Sequence, residues 1–322
     1  MSPVLEALKA GDKFPFPLLL SHTEDCLEFW EWWWAQVSLD ELTRPYLIQD
    51  DDPVLGSTLD TMFIDTLTYF DYFDKFLRSA LKDRLLPQGD HIARNTYRDE
   101  LVQLMSRRGV ANTERRIIFA GGGYGAGKST TLSKFATGRN CPLSVRNIVG
   151  VDSFKLFLPE YEVVRRLGDG RASTIVQKEA RMLANKLFER LVQMGRSFIW
   201  DSSMSDFEAT MEHIQEAKAR GYTLELVAVA SPIQAAIRRA MYRAKETRRF
   251  AHPDFLLSSH RDFASYFEAY FPHFQKVMLF WNAWEARPEQ AIDPLLIAEN
   301  NANNELVSYD QGKLEQFLQL KL

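Results

Sequence analysis

The stretch Gly122-Gly123-Tyr124-Gly125-Ala126-Gly127-Lys128-Ser129 constrains this chain more than any other. It satisfies G-x-x-x-x-G-K-[ST] at every specified position, the pattern of a phosphate-binding P-loop. Arg116-Ile117-Ile118-Phe119-Ala120 ahead of it reads as a short buried strand, and Thr130 to Ala136 behind it as a helix. Strand, glycine loop and helix N-terminus together aim backbone N–H groups and a positive helix dipole at one point, where a phosphate can sit. Lys128 is placed to reach the β- and γ-phosphates of a nucleotide, and the Ser129 hydroxyl to ligate Mg²⁺.

Beyond the loop, strands and helices alternate. Asn147 to Val151 reads as a second strand with Asp152 at its C-terminal end, 24 residues beyond Lys128. Thr174 to Met194 reads as a long helix with Ala180, Leu183, Leu187 and Leu191 on its buried face, closed by Gly195. Ser197 to Asp201 is a third strand, apolar residues ending in a carboxylate, a pattern that orients Mg²⁺ or its water shell. A helix from Asp206, a strand Leu224 to Ala230, a last strand Lys276 to Trp281 and a C-terminal tail complete the series. This alternation predicts an α/β fold, a mostly parallel sheet flanked by helices. In such sheets ligands sit outside the carboxyl ends of the strands, which is where Asp152 and Asp201 fall.

Residues 1–110 read differently. Leu27, Trp30, Trp34 and Val37 recur at helical spacing, and Phe63, Leu67, Phe70, Phe73, Leu77 and Leu81 make a second stripe. Asp90 is a candidate cap for a third helix ending near Gly109. The expectation is an all-α N-terminal domain over 1–110 and a P-loop domain over 111–322. Trp32 lies off the apolar stripe and is the candidate surface contact. The helical part holds 11 Lys and Arg against 19 Asp and Glu, the remainder 28 against 24.

The basic residues concentrate between Ala235 and Arg261, where Arg238, Arg239, Arg243, Lys245, Arg248, Arg249 and Arg261 face only Glu246 and Asp254. Arginines on a lid can neutralise a phosphoryl group in flight. A solvated basic helix explains most of them individually. The acidic net charge of −4 argues against nucleic acid as the partner. No apolar cluster is long enough to span a bilayer, and Met1 to Asp12 lacks the pattern of a secretory signal. Two cysteines, Cys26 and Cys141, give neither a disulfide framework nor a metal-spaced cluster, so a reducing cytoplasm is the expected compartment.

Over roughly residues 115–284 the chain resembles the zeta-toxin family of P-loop kinases. The carriers are Gly122 to Ser129, Val151-Asp152-Ser153-Phe154-Lys155, Pro159-Glu160-Tyr161, Lys178-Glu179-Ala180, Ile199-Trp200-Asp201-Ser202-Ser203, and Ser231-Pro232 leading into the arginine segment. The resemblance implies that the loop, from Gly122 through Gly123, Tyr124, Gly125, Ala126, Gly127, Lys128 and Ser129 to Thr130, holds ATP or GTP with Mg²⁺. It implies Asp152 as general base on the acceptor hydroxyl, Arg243 and Arg249 (Arg248 being the alternative) on the lid, and Glu179, Asp201 and Ser203 at the acceptor. The family's acidic residue–Gly–Thr stands here as Asp201-Ser202-Ser203, which keeps the hydroxyl and loses the glycine.

The acceptors implied are small molecules: a sugar nucleotide such as UDP-N-acetylglucosamine first, a nucleotide cofactor of the NAD type or a nucleoside as the alternative. A non-catalytic NTP-binding module that recognises a partner through its tryptophans is the reading from a different class. The resemblance further implies toxicity held in check by a helical antitoxin, separate or fused, and the acidic segment 1–110 is a candidate for the fused form.

Overall fold

The computed structural model describes residues 91–322 other than 112–113, 139–142, 156, 159–160, 162–172, 174–175, 248–252, 284–292 and 322. The helices expected before residue 90, with Trp32, lie outside the described residues, as do Arg248, Arg249, Pro159 and Glu160.

The described helices are α1 (His91–Met105), α2 (Lys128–Gly138), α3 (Asp152–Lys155), α4 (Gln177–Gln193), α5 (Phe207–Ala219), α6 (Ile233–Thr247), α7 (Pro253–Tyr270) and α8 (Gln311–Gln319). The strands are β1 (Val110–Ala111), β2 (Arg116–Gly121), β3 (Ile148–Gly150), β4 (Arg196–Asp201), β5 (Thr223–Ala230), β6 (Lys276–Trp281), β7 (Leu295–Asn300) and β8 (Leu306–Ser308). They form one sheet in which β3, β4, β2, β5 and β6 run parallel in that spatial order. β7 and β8 extend it antiparallel beyond β6. On the far edge of β4, β1 pairs antiparallel with its start and β3 parallel with its end.

The central strands are buried on both faces, so they read as continuous apolar runs. Successive side chains still go to opposite sides. Ile117 and Phe119 join one core, and Ile118 and Ala120 the other. The first core takes apolar residues from α4, α5, α7 and α8. The second packs Leu132 and Phe135 of α2 against Ile199, Val227, Val229 and Met278. The buried Glu225 of β5 is matched by Arg116, whose Nη1 lies 3.0 Å from Oε1.

Helix α1 belongs to the first core. Its Leu101, Val102 and Met105 are buried in the same cluster as Phe119 and Leu187. The domain boundary expected at residue 110 therefore does not coincide with a break in packing. Helix α4 begins at Gln177, three residues later than the sequence suggests, and turns off at Gly195, whose φ of +65° suits a residue without a Cβ. Asp206 caps α5 by accepting from the Ala209 N–H at 3.2 Å. Among the described residues no helix is long and apolar enough to cross a membrane.

Candidate active site

Strand β2 delivers the glycine loop to the carboxyl edge of the sheet, and α2 leaves from Lys128. Gly122 has φ +148°, and a Cβ there would meet the Val229 carbonyl oxygen at 2.3 Å. Gly125 has φ +76°, and its Cβ would meet the Ala236 oxygen at 2.6 Å. Only glycine fits either position. The loop wraps the Lys128 ammonium, which donates to the Gly122 oxygen at 2.8 Å and to the Gly123 oxygen at 3.5 Å.

Asp201 ends β4 between two neighbours: Ala120 of β2 is in register with it on one side and Gly150 of β3 on the other. Two residues past Gly150, Asp152 opens α3. Lys128, Asp201, Asp152 and Arg243 lie close enough to perturb one another. Desolvation lowers the Lys128 pKa, with Asp201 and Asp152 acting in the opposite sense. Desolvation raises the Asp201 carboxyl, Lys128 opposing it and Asp152 adding to it. Two cations and two carboxylates converge where the β2, β3 and β4 strands end.

These residues line a cleft of about 440 Å³. On its loop side are Tyr124, Gly125, Gly127, Lys128, Ser129 and Thr130, with Arg239, Arg243 and Phe255 over them. Gly122, Gly123 and Ala126 do not line it. They are buried residues of the loop. Opposite stand Asp152, Ser153 and Lys155, the Ser202–Ser203 turn, and two helix faces. Gln177, Arg181 and Asn185 come from α4 at four-residue spacing, and Asp206, Thr210 and His213 from α5. Arg181 bridges the gap, its Nη1 lying 3.6 Å from Oδ2 of Asp206. The His213 ring packs on Phe188 and Trp200 at centroid distances of 4.2 and 5.0 Å. Burial there pushes its pKa down to about 4, against the pull of Asp206.

Most of the residues singled out from the sequence thus meet at one cleft, Ser203 included; its Oγ is 2.7 Å from that of Ser205. On the acceptor side, Glu179 does not line the cleft. It lies at 2% exposure behind the cleft wall, and Oε1 accepts from Arg98 Nε of α1 at 2.7 Å. The expectation sets Glu179 at the acceptor; here its carboxylate accepts from Arg98 and is not among the residues lining the cleft. Arg243 lines the cleft, its guanidinium carbon 4.8 Å above the centre of the Tyr124 ring.

Several neighbours of the site are not marked as such by the sequence. Lys155, buried at the end of α3, places Nζ 3.0 Å from Oδ1 of Asp152 and donates to Ser173 Oγ at 2.7 Å. Its place in the Asp152-Ser153-Phe154-Lys155 motif is the one signal that could have found it. Arg239 Nε donates to the Gly125 oxygen at 2.6 Å, a backbone role that composition cannot separate from six other basic residues. Ser259 and His260 of α7 hold Tyr124 by its backbone, 135 and 136 residues away in the chain.

The sequence model of the family described as Zeta toxin matches residues 104–308. The chain belongs to the zeta toxin family. Its fold is shared by solved structures of low identity. A chain of AvrRxo1-ORF1:-ORF2 with ATP superposes with a TM-score of 0.54 at 18% identity, over 72% of this chain and 74% of that one. A chain from the PezAT chromosomal toxin–antitoxin system of Streptococcus pneumoniae gives 0.50 at 16%, over 70% and 92%. No curated protein matches the sequence. Within the zeta toxin family fold, then, the glycine loop and the two carboxylate-bearing strand ends share one cleft.

Proposed function

We propose that this zeta toxin-family chain is an ATP- or GTP-dependent kinase that phosphorylates a hydroxyl of a small metabolite. The observation that carries the reading is the convergence of Lys128, Asp152, Asp201 and Arg243 on one cleft. A bare NTP-binding module needs the loop and the lysine. It does not need a half-exposed carboxylate such as Asp152 facing them from a neighbouring strand end.

Donor phosphates lie along the loop amides and Lys128, with the dipole of α2 behind them. Ser129 and Asp201 are the residues that would hold Mg²⁺, which on binding neutralises charge on the donor phosphates. A hydroxyl and a carboxylate are hard oxygen donors, and no group of three or more His, Cys, Asp or Glu that could hold a metal ion is found among the described residues. That donor set fits an ion bound largely through phosphate and water oxygens. The acceptor oxygen forms a bond to the γ-phosphorus as the bond from that phosphorus to the bridging oxygen breaks, leaving the nucleoside diphosphate. The acceptor proton passes to the Asp152 carboxylate, late in a loose transition state. Arg243, with Arg249 or Arg248 as its partner on the lid, carries the charge of the transferring group.

The α4 and α5 faces opposite the loop supply amide, hydroxyl and guanidinium groups, which suits an acceptor rich in hydroxyls and phosphate. A sugar nucleotide such as UDP-N-acetylglucosamine is the acceptor favoured, and an NAD-type cofactor or nucleoside the alternative. The action is that of a toxin, with an antitoxin as partner, either a separate chain or the acidic segment 1–110. The likeness to the PezAT toxin–antitoxin system supports that reading.

The test is a reaction of the full chain with ATP, Mg²⁺ and a metabolite extract, read as a product gaining one phosphoryl group. Lys128→Ala should lose the product. Asp152→Asn should lose it while still binding ATP. Transfer that survives in Asp152→Asn would overturn the mechanism.

A further inference from the structure

Tyr124 stands mid-loop, and four groups from α6 and α7 close around it. Its N–H donates to Ser259 Oγ at 2.8 Å, and its carbonyl oxygen lies 2.9 Å from His260 Nε2. A carbonyl only accepts, so Nε2 carries the proton. The ring takes Arg243 on its face and the edge of Phe255 at 5.9 Å. One residue on, the Gly125 oxygen accepts from Arg239 Nε. The imidazole also lies directly on Gly123, where an added Cβ would meet ring atoms at 2.3 Å. That explains a glycine at a position with no positive φ.

A trans peptide points its N–H opposite to its C=O. Holding the Tyr124 oxygen against His260 therefore turns the Gly125 N–H away from α7. Holding the Gly125 oxygen against Arg239 fixes the next unit of the chain likewise. The Gly125 carbonyl tie and the Tyr124 carbonyl tie come from different helices, so the loop is pinned at both units before a nucleotide arrives.

Resting on the donor-site reading above, we infer that His260 is a positioning residue for the nucleotide: with Ser259 and Arg239 it clamps Tyr124 and Gly125 so that the loop amides are set for phosphate. The imidazole is buried at 2% exposure and is not among the residues that line the cleft. It acts through the peptide it holds.

The experiment measures ATP affinity of the full chain by calorimetry, without acceptor, for wild type, His260→Gln and His260→Met. Glutamine offers an N–H donor at similar reach, and methionine fills similar space with none. A lost buried hydrogen bond with a loosened loop predicts binding weakened about 10-fold in His260→Met. His260→Gln should stay within about 3-fold of wild type. Gly123→Ala should weaken binding too, and adding it to His260→Met should cost less than the two separate effects combined, since both disturb one contact. Equal affinities for Met and Gln variants, whether both unchanged or both reduced, would overturn the clamp and leave His260 a packing residue. A wild-type chain that binds no ATP would instead overturn the donor-site reading.

Discussion

Arg98 and Glu179 form an ion pair of 2.7 Å with side chains 7% and 1% exposed, joining α1 to the first turn of α4. The pair lies behind the cleft wall, while Gln177 and Arg181, on either side of Glu179 in the chain, reach the cleft. A buried pair that loses one partner leaves a charge without compensation in a dry place, costing about 3–5 kcal/mol. Arg98→Met is expected to lower the unfolding midpoint strongly, and Arg98→Met with Glu179→Gln to recover much of the loss. Thermal unfolding of the single and double variants decides it.

Lys155 holds the Asp152 carboxylate from inside the fold. Replacing it by methionine should slow phosphoryl transfer about 10- to 100-fold through misplacement of the carboxylate. ATP affinity should stay near that of wild type, and Lys155→Arg should restore part of the rate. Parallel measurement of transfer and ATP binding separates this from a general loss of structure.

Two glycines share φ +76° and differ in surroundings: Gly125 faces the Ala236 carbonyl, and Gly221 has nothing within 4 Å of an added Cβ. Gly221→Ala should cost about 1–2 kcal/mol of backbone strain and leave ATP binding alone. Gly125→Ala adds a backbone clash to that strain and should weaken ATP binding at least about 10-fold. Calorimetric ATP affinity of the two variants, with unfolding measured alongside, checks the pair.

His213 and His260 both titrate near 4 in the folded chain, from an ordinary 6.5, because burial opposes the imidazolium. Between those values the unfolded chain takes up protons that the folded chain refuses. Stability should thus be full above pH 6.5 and fall toward pH 4, by up to about 3 kcal/mol per histidine. The raised Asp201 carboxyl works the other way, since the folded chain protonates it more readily as pH falls. His213→Phe, which keeps the ring stack, should flatten the fall by about half. Unfolding temperature measured from pH 7.5 to 4.5 reads both effects.

The strands were legible because burial on both faces leaves a mark that needs no knowledge of the partner: Ile117 to Ala120, Phe198 to Trp200 and Leu226 to Ala230 are apolar throughout. The loop was legible because its chemistry demands residue types, small at Gly122 and Gly125 and cationic at Lys128. Asp152 and Asp201 were legible because a carboxylate ending an apolar strand must lie at the ligand edge of the sheet. The remainder depends on long-range contacts. Nothing near Glu179 reveals an arginine 81 residues earlier, and nothing near His260 reveals the loop it holds. A carboxylate opening a helix looks the same whether it meets substrate or a buried guanidinium. The choice is made by α1, whose sequence reads as one more helix of a preceding segment.

That membership has a practical edge. A fragment begun at residue 111 would keep every residue placed at the cleft and still bare the apolar surface that Leu101, Val102 and Met105 cover. It would also lose Arg98, whose guanidinium pairs with the buried Glu179. Loss of activity in such a fragment would report damage to the catalytic unit, not removal of a restraint. A search for inhibition by the acidic segment has to cut ahead of His91.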